Sequence, residues 1–112
     1  MDFDKYFSVR ETLIQRGKMT PLEAVLYEYC FRFYLSTVKD NKHYYIDQLN
    51  IALFFRVSRR TVGKIIKSLE DVGLLERTGE STSSGNLCYI VHDWEKLSYS
   101  VLMDDDEYQA MV

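Results

Sequence analysis

Ile51-Ala52-Leu53-Phe54-Phe55-Arg56-Val57-Ser58-Arg59-Arg60-Thr61-Val62 is the stretch on which the fold turns. Asp47, just upstream, is a good N-cap for a short helix over about 48–55. Arg56-Val57-Ser58 then reads as a turn, and Ser58 can cap a second helix running from 59 to about 72. In that helix Val62, Ile65, Ile66, Leu69 and Val72 recur at helical spacing and make one apolar face. At 100° per residue, burying that face turns Arg60, Lys64 and Lys67 outward. Gly73 stands where a glycine closes a helix.

Upstream, Thr20-Pro21-Leu22-Glu23 is a helix start with three reinforcing features: a capping threonine, proline at the first helical position, and a glutamate completing a capping box. The helix runs to about 38. Leu22, Val25, Leu26, Tyr29 and Phe33 follow one stripe, whereas Tyr27, Phe31, Tyr34 and Leu35 spread over other faces. A helix this apolar all round must be covered on more than one side. Residues 44–46 read as a short strand. Downstream, 74–78 and 87–91 read as two strands joined by the Ser/Thr/Gly loop 79–86, a hairpin. The predicted order is helix, short strand, helix, turn, helix, hairpin. This is an α+β domain, mainly α, over residues 20–92, with an N-terminal arm (1–19) and a C-terminal tail (93–112). The arm carries Phe3, Tyr6, Phe7, Val9, Leu13 and Ile14. The tail carries Trp94, Leu97, Tyr99, Val101, Leu102 and Met103, then the acidic run 104–107, and is a candidate dimerisation segment.

That order, with the apolar-Ala pair at Ile51-Ala52, Val57-Ser58 closing the turn and a polar triplet before Val62, resembles the winged helix-turn-helix superfamily. Leu69-Glu70-Asp71-Val72-Gly73-Leu74-Leu75-Glu76-Arg77 is similar to the junction that leads into the wing in MarR-like and GntR-like DNA-binding domains. Residues 6–9 and 18–24 look like the opening of winged-helix domains in phage and plasmid replication proteins. The resemblance implies a three-helix core plus a hairpin wing, with the third helix read as a recognition helix in the major groove. It also implies double-stranded DNA as partner and a role in transcriptional regulation or replication control. Two departures from the family's pattern stand out: Arg56 replaces the glycine often found in the turn, and Leu53 and Phe54 stand where exposed polar residues are usual.

Charge supports the reading locally and opposes it globally. The 112-residue chain has a net charge of -3, where a DNA-binding domain usually carries a basic surplus. Five of its 14 cations nevertheless lie between 56 and 67 without an acid among them, leaving nine against 17 acids elsewhere. Arg59, Arg60, Thr61 and Lys64 are the expected base readers, and Arg56, Ser58 and Lys67 the expected phosphate contacts. Arg77, at the base of the wing, is a further candidate DNA contact; the wing's tip holds one acid and no cation, so the wing is expected to make a secondary contact or none.

Twofold dimers are common among such proteins, and Tyr27, Phe31, Tyr34 and Leu35, with Leu53 and Phe54, are the candidate interface. Two coverings of the first helix stand open: arm and tail within one chain, or a second copy. The alternative function is a protein–protein interaction module, a replication accessory or host-factor adaptor, using Leu53 and Phe54. No phosphate loop, nucleophile motif or paired-carboxylate arrangement points to an enzyme or a cofactor. His43 and His92 stand apart from other ligand types in sequence, so no metal site is expected. Cys30 and Cys88 sit among apolar neighbours and read as buried reduced thiols. The chain opens on the acidic Met1-Asp2-Phe3-Asp4, unlike a secretory signal, and its most apolar stretch is interrupted by Glu23, Glu28 and Arg32. The expected setting is the cytoplasm of a bacterium or phage-infected cell.

Overall fold

The computed structural model describes Leu13 and residues 18–97. The remaining arm and tail residues, with the acidic run and the anchors Tyr99 and Leu102, lie outside the described residues. Helix α1 (Pro21–Lys39) begins on the predicted capping box: Glu23 N–H donates to Thr20 Oγ1 at 3.2 Å and Thr20 N–H to Glu23 Oε1 at 2.9 Å. Strand β1 (Tyr45–Ile46) leads into α2 (Gln48–Phe55), where Asp47 Oδ1 accepts from Leu49 and Asn50 N–H. Helix α3 (Arg59–Asp71) follows the turn, then β2 (Leu75–Ser81), β3 (Leu87–Val91) and the single-turn α4 (Trp94–Leu97).

The three longer helices end alike. Lys42 N–H reaches Thr37 C=O, Val57 N–H reaches Ala52 C=O, and Leu74 N–H reaches Leu69 C=O. Each bond requires a left-handed residue just before its donor, and these are Asn41, Arg56 and Gly73 (φ 57°, 57° and 85°). Asn and Gly are the usual occupants. Arg56 is not, and its backbone carries a cost of about 1–2 kcal/mol.

The strands form one antiparallel sheet in the order β1-β3-β2. Tyr45 pairs with Cys88 on one side of β3, and Leu75, Glu76 and Arg77 pair with Val91, Ile90 and Tyr89 on the other. The hairpin was expected to leave its strand at Thr78. Instead β2 continues to Ser81, which pairs with Leu87 across a bulge. The domain is thus a small α+β unit, mainly helical, with a three-stranded sheet. Its core joins Leu26, Tyr27 and Cys30 of α1, Ile51 and Phe55 of α2, Val62, Ile66 and Leu69 of α3, Leu75, Tyr89 and Val91 of the sheet, and Trp94. No described helix is long and apolar enough to cross a membrane.

Tyr27 was assigned to a candidate subunit seam, but the structure puts it in the core. Its side chain is fully buried, and its hydroxyl donates to His92 C=O (2.7 Å) and accepts from Trp94 N–H (2.9 Å). The start of the C-terminal segment therefore covers this face of α1 within the chain. Phe33 departs the other way: expected on the core stripe, it is 45% exposed, because the second half of α1 projects past the helices that cover the first.

Candidate nucleic-acid interface

Helix α3 is amphipathic to a degree no other described element matches. Val62, Ile65, Ile66 and Leu69 are buried, while Arg59, Arg60, Lys64 and Lys67 are all exposed. Arg60, Lys64 and Lys67 fall within one third of the helix circumference and extend about 10 Å along its axis. Arg56, fixed in its left-handed turn, adds a fifth exposed cation just before the helix. No described residue forms an ion pair with any of the five. Asp71, one turn beyond Lys67, closes the basic stripe with an exposed acid.

The hydroxyls expected to meet DNA are already engaged. Ser58 Oγ accepts from Thr61 N–H at 3.0 Å and lies 2.9 Å from Thr61 Oγ1. Their first task is to start the helix, and Thr61 is half-buried. Arg59 differs from its basic neighbours: it lines a shallow depression with Gln48 at the start of α2 and with Asn86 and Leu87 of the hairpin. It faces the gap between helix and hairpin, whereas Arg60, Lys64 and Lys67 crown the helix. Gly63 sits against α2, where an added Cβ would lie 3.4 Å from Gln48 Oε1.

Arg77 does not join the basic stripe. Its guanidinium is bound to Glu70 of α3, with Nε 3.1 Å from Oε2 and Nη2 3.3 Å from Oε1. Tyr89 donates its hydroxyl to the same carboxylate at 2.9 Å. Burial, then the bond to Glu70, pushes the Tyr89 phenol up to about 12, and Tyr89 and Glu70 together raise the Arg77 guanidinium above its ordinary value. This trio fastens the hairpin to α3. The hairpin tip is likewise closed on itself: Thr82 Oγ1 accepts from Asn86 N–H and pairs with Ser84 Oγ.

The remaining candidate interface residues divide. Phe31 is half-buried and stacks on Tyr27, Tyr34 meets Tyr44 edge-on, and Phe54 packs between Tyr29 and Phe55. Leu35 (52% exposed) and Leu53 (69%) do face outward. Leu49, one turn before Leu53, is half exposed and was missed, although the i, i+4 spacing of two leucines on a short helix was there to be read. His43, Glu80 and Cys88, far apart in sequence, meet on the sheet. No family model, curated protein or solved structure matches the chain.

Proposed function

We propose that this chain is a sequence-specific double-stranded DNA-binding protein with a winged helix-turn-helix fold. In this reading α2 and α3 are the helix-turn-helix, β2–β3 is the wing, and α3 enters the major groove. Its task is transcriptional regulation or replication control in a bacterium, phage or plasmid. The observation that carries the proposal is the outer face of α3: three exposed cations, with Arg56 and Arg59 beside them, and no described acid neutralising any. Cations clustered on one face of an otherwise acidic protein form an electrostatic footprint that suits phosphates and base edges. Arg60 and Lys64, near the N-terminal end of the outward face, are the base readers, and Arg56 and Lys67 take phosphates. Arg59 stands where it can bridge helix and wing. Arg77 is held by Glu70 and contributes to wing placement instead.

The test is selection from a random duplex pool with sequencing of the bound fraction, followed by affinity measurements across a salt series. An enriched motif with steep salt dependence is the expected result. Absence of binding at low salt would sink the reading. In that case the exposed Leu49–Leu53 ridge of α2 favours the second reading, an interaction module for a protein partner.

A further inference from the structure

Cys88 is at the centre of the three-stranded sheet, and the strands on both sides bring metal-ligand chemistry to it. On the β1 side its cross-strand partner is Tyr45. His43 precedes Tyr45 by two residues, the strand period that returns a side chain to one face. On the β2 side the ladder runs from Arg77↔Tyr89 to Ser81↔Leu87, so Thr78, Gly79 and Glu80 all stand opposite the single residue Cys88. Gly79, at φ 94°, permits the bulge. The extra residues break the in–out alternation of β2 and aim Glu80 at its neighbours across the sheet. One nitrogen of His43, one carboxylate oxygen of Glu80 and the sulfur of Cys88 all lie within 4.8 Å of one another. His43 Nδ1 and Glu80 Oε2 are 3.7 Å apart.

We propose that His43, Glu80 and Cys88 bind one Zn(II) ion. Tetrahedral zinc with ordinary bond lengths holds its ligand atoms about 3.4–3.6 Å apart, so the three need close by only about 1 Å. The sulfur is fixed, since Cys88 is 2% exposed, while His43 and Glu80 are on the surface with side chains 67% and 55% exposed and free to rotate onto the metal. Thiolate, imidazole and carboxylate together suit zinc and exclude magnesium and calcium, which take all-oxygen shells. Three protein ligands leave the fourth position to water. Forming the Zn–S bond releases the Cys88 proton to solvent. The ion ties the turn before β1 to the hairpin across β3, and the site is independent of the DNA-binding reading.

The test uses the full chain stripped of metal with a chelator. Zn(II) is titrated in competition with a chromophoric chelator, and Co(II) is used as a spectroscopic stand-in. One equivalent of tight binding is expected, with Co(II) giving a thiolate charge-transfer band and the strong visible absorption of a tetrahedral centre. His43→Ala, at an exposed position that leaves the apo fold unchanged by circular dichroism, should weaken Zn(II) binding about a hundredfold or more, since even outer-shell partners of a metal cost ten- to a hundredfold. Glu80→Gln should weaken it in the same direction, while His92→Ala should leave it unchanged. Cys88→Ser should abolish the charge-transfer band. The proposal is overturned by the lack of a stoichiometric site, by a Co(II) complex without the thiolate band, or by affinity that survives His43→Ala.

Discussion

Replacing Tyr27 by Phe isolates a contact that holds the start of the C-terminal segment on α1. The ring is fully buried and Phe retains its volume, so no cavity forms. What disappears is an oxygen serving two backbone groups: it donates to His92 C=O at 2.7 Å and accepts from Trp94 N–H at 2.9 Å. The Trp94 N–H is buried, and leaving a buried donor unpaired costs about 1–3 kcal/mol. The His92 carbonyl is only partly enclosed, and its loss costs about 1 kcal/mol, for a total of about 2–4 kcal/mol. At roughly 4–8 °C per kcal/mol for a domain near this size, Tm should fall by about 10 °C or more. Trp94 is the chain's only tryptophan, so urea unfolding followed by its fluorescence reads the perturbed spot directly. Tyr34→Phe is the control, because that half-exposed ring has no described hydroxyl partner and the change should stay within about 0.5 kcal/mol. A contact made inside one chain gives a loss independent of protein concentration, whereas a subunit seam gives one that grows on dilution. A Tyr27→Phe protein within about 0.5 kcal/mol of the parent, or a concentration-dependent loss, would refute the intrachain lock.

Three further outcomes are expected. Arg60→Ala combined with Lys64→Ala removes two exposed cations without described partners; stability should hold within about 0.5 kcal/mol, while the preference for the selected duplex over a scrambled one should fall about tenfold or more, read by fluorescence anisotropy. Arg56→Gly should act with opposite signs, raising stability in urea by about 0.5–1 kcal/mol as the left-handed strain is relieved against the glycine entropy cost, and lowering DNA affinity by one phosphate contact. Stability should also fall in strong base. Burial raises the phenols of Tyr89 (to about 12) and Tyr44 above their unfolded value near 10, so their contribution is complete below pH 10 and is lost as pH climbs through the folded values. Thermal melts between pH 8 and 12 with tyrosinate absorbance check this, and a loss complete before pH 10 would refute it.

What the sequence made legible were rules that act within about four residues. The Thr20–Glu23 box, the caps at Asp47 and Ser58 and the glycine at 73 all appear where local hydrogen-bonding chemistry demands them. The outward turn of Arg60, Lys64 and Lys67 was legible for the same reason, since a clean apolar stripe leaves the opposite face no choice. Readings that depend on a distant partner went differently. Periodicity cannot rank the faces of a helix that is apolar all round, so Tyr27 looked like a seam and Phe33 like core. Arg77 looked free because Glu70, its partner, folds back onto it from α3. The length of β2 is set by its pairing with β3 through a bulge, against a Ser/Thr/Gly composition that reads as loop. The meeting of His43, Glu80 and Cys88 depends on that same bulge and was invisible for the same reason.

The separation of Arg77 from the basic stripe bounds the proposed DNA complex in a measurable way. With Arg77 neutralised by Glu70, with Glu80 on the hairpin, and with the Thr82 and Ser84 hydroxyls turned toward each other, the hairpin offers little free positive charge. The cations that α3 and the turn before it can set against phosphates are then Arg56, Arg59, Arg60, Lys64 and Lys67. Each phosphate neutralised contributes about 0.9 to the salt slope, so this surface contributes at most about −4.5. Arginines committed to bases instead of phosphates only reduce that magnitude. Two copies on a twofold site could reach about −9. A measured slope clearly steeper than about −5 therefore requires cations beyond this surface, and a twofold-symmetric selected motif assigns them to a second copy. In that case Leu35 or Leu53, the outward-facing members of the candidate interface, is where substitution should reduce the slope to the single-copy limit. A slope of about −3 would instead describe one copy with Arg60 and Lys64 spent on bases.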